Sequence, residues 1–450
     1  MNIRNVTVDF AKKSGKMRPL NGLNSGPLFG IDMSIDYREE YRSLSVPYVR
    51  TDRVEYPYGA NRYVDIHCLF PDFSLDERFE ASYNFAPTDK YLLAIKDTGA
   101  QIFLRLGESY DPYEIKSYIN KPVDYQKWAR VCEKIIAHYN EGWGQGFKLG
   151  IKYVEIMCDI DEPHGWQASV EEYFELYRTV ANHLRQRFPR IRIGAYSSGG
   201  FFALNHYNGS SLQKGYVDTL EKFLDYIGKK ETSAPLDFLS WKCTAANAEE
   251  LSLHANYAKN YLVQSGFRRT ESILTRFDIL PLGEIPRHKE REYPSRLLSA
   301  LITAQKSSID MLFLAEADPR SELCSLYCTE DRTGKHYFAP YRAMEIFGQL
   351  CRLGTEVETD GDYRKELSTL AATDGTDGAI LLVTRDYSGI IEIDVKGACY
   401  TSYTLRGLIG GGQRGEGYYS SDKPAELKDG RLLLRVGKHE VYLISFTPSM

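Results

Sequence analysis

The sequence has 450 residues, of which 43% are hydrophobic, so it predicts a large buried core with a second, smaller unit beside it. The formal net charge of -5 is small and the basic residues are scattered, which excludes a polybasic surface for nucleic acid or membranes. The sequence shows neither a signal peptide nor an apolar run that could span a bilayer. This predicts a soluble, cytoplasmic protein, unless a leader has been removed.

The 8 cysteines are spread through predicted strands and helices, which favours buried free thiols over a disulfide framework. Cys324 and Cys328 lack a second close pair at the spacing of a zinc site, and the histidines lack the spacing of a ligand set. We therefore expect neither a metal nor another cofactor.

The first predicted element is the alternating run from Ile3 to Phe10. Beyond it, from about residue 45 to residue 320, short apolar runs alternate with longer amphipathic segments, as in repeated βα units. With one strand near Leu20 to Phe29 this gives about eight strands, the number of a (β/α)8 TIM barrel. The other strand candidates are Val46 to Thr51, Gln101 to Leu106, Lys152 to Met157, Ile191 to Tyr196, Leu236 to Trp241, Ser272 to Phe277 and Asp310 to Leu314.

The intervening helices show apolar stripes at helical spacing, which we interpret as core-facing sides. One stripe is Trp128, Val131, Cys132, Ile135 and Tyr139, and another is Tyr173, Tyr177, Val180, Leu184 and Phe188.

After about residue 355 the sequence changes to Gly and Asp turns between alternating runs, which is typical of an antiparallel β-sandwich. The runs are Ala379 to Thr384, Ile390 to Val395, Arg431 to Val436 and Val441 to Phe446. Because the N-terminal run has the same alternation, we expect it to cross over and join this sandwich. The predicted organisation is thus an N-terminal strand in residues 1–18, a barrel in 19–350 and a β-sandwich in 351–450.

Polar residues follow the predicted strands, at the barrel end where reacting groups are normally found, although a barrel without function also has polar loops here. In chain order they are Asp52, Arg53, Arg105, Glu108, Ser109, Cys158, Asp159, Asp161, Glu162, Ser197, Ser198, Lys242, Arg276, Asp278, Glu316 and Asp318.

Several motifs resemble glycoside hydrolase family 39, the group containing β-xylosidases and α-L-iduronidases. They are Tyr63-Val-Asp-Ile-His-Cys-Leu-Phe-Pro-Asp-Phe73, Phe85-Ala-Pro-Thr-Asp89, Leu104-Arg-Leu-Gly-Glu-Ser109, His138-Tyr-Asn-Glu-Gly-Trp143 and Tyr173-Phe-Glu-Leu-Tyr177. The resemblance runs from about Asn21 through Lys335-His-Tyr-Phe338 and into the sandwich. It implies an oligosaccharide or glycoside ligand and a retaining mechanism, in which one carboxyl group protonates the leaving oxygen and another attacks the anomeric carbon.

The acid/base of such enzymes lies in a Glu-Ile-Trp-Asn-Glu-Pro segment after the fourth strand. Here Glu155-Ile-Met-Cys-Asp-Ile160 occupies that register, which places Asp159 at the acid/base position and matches Trp166 to a downstream tryptophan. A slipped register would use Glu162 of Asp161-Glu162-Pro163 instead, at the expense of an insertion. We favour Asp159; in either register the usual Trp and Asn are absent.

The nucleophile of the resembling enzymes lies in a Glu-Trp-Asn sequence that ends the seventh strand. The matching segment is Glu271-Ser-Ile-Leu-Thr-Arg-Phe-Asp278, so Arg276 stands at the position of the nucleophilic glutamate. A guanidinium group only donates hydrogen bonds and cannot form a glycosyl ester, which excludes the ordinary mechanism in this register.

Two further family positions are changed, because Lys242 stands where a histidine usually follows the sixth-strand tryptophan, and Asp52-Arg53 stands where His-Asp is usual. The cations Arg53, Lys242 and Arg276 could therefore meet Asp52 and Asp159 at one face. Such a cluster indicates either a rebuilt site or a decayed pocket crossed by salt bridges.

Our first hypothesis is a glycosidase with an altered mechanism that binds or cleaves an anionic glycan carrying a uronate or sulfate. Asp159 would act as the acid, with Asp278, Asp52 or Glu162 activating water for inversion. The expected catalytic residues are Asp159, Glu162 and Asp278, and the expected sugar-binding residues are Asp52, Arg53, Glu108, Trp166, Lys242, Arg276 and Glu316.

The second hypothesis is a sugar-binding pseudo-glycosidase that has lost turnover. A third is eliminative cleavage of uronates, with Arg276 as neutraliser and Lys242 or a tyrosine as base. The sequence leaves the sugar, the linkage and homo-oligomerisation open.

Overall fold

The protein is described from a computed structural model, which covers residues 3–52, 63–109, 111, 114–116, 118–157, 159–204, 210–280, 291–330, 334–363, 365–409 and 418–448. Its strands, numbered in chain order, are Ile3–Lys16 (β1), Gly22–Asn24 (β2), Leu28–Phe29 (β3), Ile35–Asp36 (β4), Tyr48–Arg50 (β5), Gln101–Leu106 (β6), Tyr153–Ile156 (β7), Arg192–Ser198 (β8), Phe238–Ala245 (β9), Glu271–Ile279 (β10), Met311–Leu314 (β11), Tyr327–Glu330 (β12), Gly334–Tyr337 (β13), Thr355–Asp360 (β14), Leu367–Thr373 (β15), Gly378–Thr384 (β16), Gly389–Lys396 (β17), Tyr400–Leu408 (β18), Tyr418–Glu426 (β19), Arg431–Val436 (β20) and Val441–Pro448 (β21).

The α-helices of the same ranges are Arg38–Ser43 (α1), Ile66–Leu69 (α2), Ala86–Asp97 (α3), Tyr125–Asn140 (α4), Val170–Arg187 (α5), Ser211–Gly228 (α6), Ala248–Gln264 (α7), Tyr293–Gln305 (α8) and Ala339–Cys351 (α9). None of these helices combines the length and apolar character that a bilayer crossing requires.

Eight parallel strands close into a barrel in the order β2, β5, β6, β7, β8, β9, β10, β11. Each predicted strand coincides with one of them, with ends displaced by a few residues. The predicted (β/α)8 TIM barrel is therefore confirmed. Its connecting helices are amphipathic, and they bury their apolar stripes, including Trp128 of α4 and Tyr173 of α5.

Side-chain caps start some of the long helices. Ser169 accepts a hydrogen bond from the Glu172 N–H while the Glu172 carboxylate accepts one from the Ser169 N–H, a capping box that starts α5. Asp124 is the N-cap of α4, and its Oδ1 accepts a single hydrogen bond from the Lys127 N–H at 2.9 Å.

A separate sheet of nine strands is mostly antiparallel and has the order β19, β18, β21, β16, β15, β14, β1, β17, β20. This attached β-rich unit confirms the predicted second element of the fold class. β1 pairs antiparallel with β14 and parallel with β17, so the N-terminal strand lies inside the sheet. The domain boundaries at residues 18 and 350 stay a prediction.

Side chains inside the barrel form layers, because alternate residues of a strand point the same way. One layer is apolar and consists of Phe103, Phe238, Ile273, Met311 and Phe313. Tyr153 of β7 packs against this layer. Two residues after Phe103 and Tyr153 come Arg105 and Glu155, which are 0% exposed, and Arg50 of β5 is 1% exposed. A charged layer thus separates the apolar interior from the carboxyl end of the barrel.

Candidate functional site

The charged layer is a chain of buried ion pairs. The Arg50 guanidinium donates to one Glu155 oxygen from Nε at 2.9 Å and from Nη2 at 2.7 Å, and its Nη1 lies 3.0 Å from Asp52 Oδ2. Arg105 Nε lies 3.9 Å from Asp52 Oδ1, and Arg105 Nη2 also pairs with Asp65. Asp52 is therefore held by the guanidinium groups of Arg50 and Arg105 in the charged layer.

An ion pair between Lys242 and Asp159 lies at the mouth of the barrel. Lys242 Nζ of β9 is 2.7 Å from Asp159 Oδ1 and 3.9 Å from Glu162 Oε1, and Tyr216 Oη donates to the same Glu162 oxygen at 2.8 Å. Burial would lower the pKa of Lys242, but the Asp159 carboxylate raises it above the ordinary value. Both alternatives for the acid/base, Asp159 and Glu162, therefore face the same ammonium group.

The backbone that carries Asp159 has an unusual conformation. Met157, Asp159 and Ser197 have φ values of 59°, 56° and 55°, a left-handed region that non-glycine residues seldom adopt. The Asp159 N–H donates to Tyr196 O at 2.8 Å, and a Cβ atom on Gly165 would lie 2.0 Å from Asp159 O. Strain of this kind is concentrated at functional sites, where the surrounding structure holds it.

Arg276 lies beside Lys242 on the neighbouring strand. The two residues are register partners, and the register shifts between Leu274 and Arg276, so that Thr275 is an extra residue of β10. Thr275 Oγ1 donates to Trp241 O at 3.1 Å and lies 2.8 Å from Ser197 Oγ. The bulge thus keeps Arg276 in register with Lys242 on the adjacent strand.

The remaining predicted residues are distributed around this mouth. Asp278 Oδ1 accepts hydrogen bonds from Tyr293 Oη of α8 at 2.7 Å and from the Ile279 N–H at 2.8 Å. Glu316 follows β11 and accepts from the Asp318 N–H at 3.1 Å. Arg53 and Cys158 lie outside the described residues.

Glu108 and Trp166 do not contact Lys242 but line a cavity of about 500 Å³ on the β6 and β7 side of the mouth. His67 of α2 pairs with Glu108 through Nδ1, and its ring stacks on Tyr118 with centroids 3.7 Å apart. Burial would lower the pKa of His67, but the Glu108 carboxylate raises it to about 12, while burial raises the pKa of Glu108 itself. The predicted binding residues thus form two groups, one at the mouth and one in the cavity.

Asp65, His67 and Glu108 bring three candidate metal-ligand atoms within 4.8 Å of one another. Asp65 already accepts from Arg105 Nη2 and from Ser109, and His67 is paired with Glu108. A divalent cation would have to displace the buried Arg105 from its partner, and this carries a large electrostatic cost. We therefore describe the cluster as an ion-pair network and assign no metal to it.

The sequence did not single out four of the groups that shape the site. His67 and Tyr118 line the cavity, Asp65 pairs with Arg105 in the charged layer, and Tyr216 reaches Glu162 from α6. Asp65 and His67 lie inside the family-like motif of residues 63–73, which was the available signal. The contacts of Tyr118 and Tyr216 depend on tertiary packing and leave no local pattern.

Asp161 is also held at the mouth, by hydrogen bonds from Ser198 Oγ at 3.0 Å and from the Gly199 N–H at 3.1 and 3.2 Å. Burial raises its pKa from 3.8 to about 7, although Lys242 opposes the shift. Because the folded pKa is the higher one, the contribution of Asp161 to stability is complete below about pH 4 and is lost as pH rises through about 7.

Asp161→Asn is therefore expected to be more stable than the parent at about pH 8, by about 2 kcal/mol, and equally stable at about pH 4. The amide keeps the acceptor oxygen but never ionises. Urea unfolding across this pH range measures the difference, with Asp225→Asn on the exposed side of α6 as the control. Parallel pH profiles for Asp161→Asn and the parent would contradict the assignment.

Comparison with known proteins agrees with this geometry. The model for glycosyl hydrolases family 39 matches residues 5–288. A β-xylosidase from Geobacillus stearothermophilus is 20% identical over 181 residues, which cover 38% of this chain and 32% of the relative. The match thus spans about a third of that relative's length.

Two solved structures share the whole fold. A glucosidase from Croceicoccus marinus has a TM-score of 0.80 at 20% identity and covers 100% of this chain and 99% of its own. The GH39 enzyme from Xanthomonas axonopodis pv. citri has a TM-score of 0.70 at 14% identity, covering 99% of this chain and 97% of its own. The resemblance found in the sequence is confirmed, and since the family model matches more than half of the chain, this protein belongs to glycosyl hydrolase family 39.

Proposed function

We propose that this glycosidase-type, carbohydrate-active protein recognises an anionic glycan at the barrel mouth and lacks the covalent retaining mechanism. The observation that carries the proposal is the pair of cations on adjacent strands, Lys242 of β9 and Arg276 of β10, which are register partners. A uronate carboxylate or a sulfate group is the sugar substituent that such a pair would recognise.

The ion pairs of the mouth support a competition in which an anionic group of the ligand replaces an internal carboxylate as the partner of a cation. Lys242 is 15% exposed and is held by Asp159 at 2.7 Å, so an incoming carboxylate would compete with Asp159 for the ammonium group. Neutral sugars bring no anion and gain nothing from these cations. The names of the relatives point to xylosides and glucosides, whose uncharged sugars would be the weaker ligands here.

If turnover occurs, it must use the remaining carboxylates. Asp159 or Glu162 would be the acid, and Asp278 would activate water in an inverting reaction, which needs the carboxyl groups roughly 6.5 to 9.5 Å apart. Asp52 and Glu316 would contact the sugar at the mouth, Glu108 and Trp166 would contact the ligand from the cavity, and Arg53 would add a third cation.

A sugar-binding pseudo-glycosidase is the second candidate, and one observation favours it. The Asp159 carboxylate is paired with the ammonium group of Lys242 through Oδ1, and a general acid would have to be protonated instead of ion-paired before it could deliver a proton. In this reading the mouth and the cavity bind the glycan and no bond is cleaved.

Arg276→Ala tests the proposal. Losing a charge-assisted bidentate contact is expected to weaken binding of a methyl uronide about 30-fold or more, while the methyl glycoside of the matching neutral sugar changes little. Isothermal titration calorimetry with this ligand pair gives both affinities.

Arg78→Ala is the matched control, because Arg78 pairs with Asp76 at a site where its side chain is 76% exposed, away from the mouth. Equal affinities for uronide and neutral glycoside in the parent, or an Arg276→Ala variant that binds the uronide as the parent does, would refute the proposal.

A further inference from the structure

The cavity beside the mouth has the dimensions of a small-molecule site. Its volume of about 500 Å³ lies within the range of ligand pockets, which is roughly 300 to 1,000 Å³. Its walls include the rings of Phe73, Tyr118, Trp128 and Trp166 together with Met157. The indole N–H of Trp166 already donates to Ser169 O at 2.9 Å, so this ring offers the cavity an apolar surface.

The charged residues at the rim are engaged in structural contacts. Lys127 Nζ donates to the carbonyl oxygens of Phe73 and Leu75, both at 2.6 Å. Asp124 caps α4, and Lys121 pairs with Glu172 of α5. These groups therefore fix the rim, and the surface left for a ligand is largely apolar.

Apolar side chains at the opening are exposed to solvent. Val123 is 106% exposed and Phe73 is 38% exposed, and both line the cavity. Exposed apolar groups around a concave apolar surface are typical of a binding site. A ligand that covers them would remove this surface from water.

The cavity wall packs against the backbone of Asp159. Trp166 lines the cavity, and a Cβ atom on the preceding residue, Gly165, would lie 2.0 Å from Asp159 O. The His67–Glu108 pair lies among the lining residues and offers charged hydrogen-bonding groups at one end of an apolar space. A ligand with a polar group at the mouth and an apolar ring in the cavity fits this arrangement.

We propose that the cavity binds the apolar, ring-shaped aglycone of a glycoside whose anionic sugar occupies the barrel mouth. This inference rests on the proposed function, since it takes the mouth as the sugar site. The ring lies between the aromatic walls, and the His67–Glu108 pair contacts the oxygen atoms near the glycosidic bond. The substrate class is an aryl uronide rather than a longer polysaccharide chain.

The test compares 4-nitrophenyl β-D-glucuronide with methyl β-D-glucuronide by calorimetry. Burial of one aromatic ring predicts that the aryl compound binds roughly tenfold tighter or more. Phe73→Ala and Val123→Ser, both at exposed positions, are expected to remove most of this advantage without changing the affinity for the methyl compound. Leu433→Ala, at a residue 67% exposed on β20, is the control.

The neutral pair, 4-nitrophenyl and methyl β-D-glucoside, separates this inference from the proposed function. An aryl advantage in both pairs with no preference for the uronides would support the cavity and overturn the anionic site. Equal binding of aryl and methyl uronides, or cavity variants that leave the aryl advantage unchanged, would overturn the cavity alone. Tighter binding of a uronate disaccharide than of the aryl uronide would make the cavity a sugar subsite and refute the aglycone assignment.

Discussion

Aryl β-xylosides and β-glucosides are expected to be turned over at the background rate of the uncatalysed reaction. The covalent route needs a carboxylate at the position of Arg276, and a guanidinium group cannot attack the anomeric carbon. The residue at the acid/base position, Asp159, is also engaged in an ion pair, with Lys242 Nζ 2.7 Å from its Oδ1. General acid catalysis alone supplies a rate enhancement of about 10²- to 10⁴-fold. We therefore expect the rate of hydrolysis to be lower, by about 10⁴-fold or more, than with an intact pair of catalytic carboxyl groups.

The measurement is release of 4-nitrophenolate, together with intact mass after incubation with a 2-deoxy-2-fluoro glycoside that traps a covalent intermediate. No labelling is expected. Stoichiometric labelling of the parent protein would show that a carboxylate does attack. Mapping of the labelled peptide would then identify that carboxylate, and the alignment of Arg276 with the nucleophile position would be wrong. Labelling that disappears in Asp278→Asn but persists in Asp225→Asn would identify that carboxylate as Asp278.

The architecture was predictable because its signals are local and repeat. Strands of a parallel barrel are buried on both faces, so each appears as a short apolar run, and the intervening helices carry stripes such as Trp128 to Tyr139. The change to alternating runs after residue 355 marked the second unit for the same reason. The strand ends were less well predicted, since Lys242, Ser197 and Ser198 were expected to follow strands but lie inside β9 and β8.

The internal chemistry of the site was less accessible. Arg50 was placed correctly within a buried strand, but its partner Glu155 lies 105 residues further along, and no local pattern links them. The bulge at Thr275, the pairing of Lys242 with Asp159 and the stacking of His67 on Tyr118 all depend on packing between distant segments. The separation of Glu108 and Trp166 into a cavity beside the mouth is a consequence of the same packing.

The largest stability effect is expected from Glu155→Ala, which should lower the free energy of unfolding by about 3 to 5 kcal/mol. Glu155 is 0% exposed and accepts two hydrogen bonds from Arg50, whose side chain is 1% exposed. Removing the carboxylate leaves the guanidinium in the barrel interior with less compensation for its lost hydration. Burial raises the pKa of Glu155 while Arg50 opposes the shift, so the ion pair is the arrangement that makes the buried carboxylate tolerable.

Urea unfolding of Glu155→Ala and of Asp225→Ala separates this effect from that of a surface pair. Asp225 and Lys229 on α6 are 70% and 58% exposed, so breaking their pair should change the free energy of unfolding by less than about 0.5 kcal/mol. Salt should leave the Glu155 effect nearly unchanged, because buried pairs are poorly screened. The double variant Arg50→Met/Glu155→Leu should recover only part of the loss, since it removes this ion pair but leaves the buried Asp52 carboxylate without the guanidinium group 3.0 Å away. A Glu155→Ala variant as stable as Asp225→Ala would mean that the guanidinium of Arg50 is fully compensated by Asp52 and Asn24, and that the charged layer does not depend on Glu155.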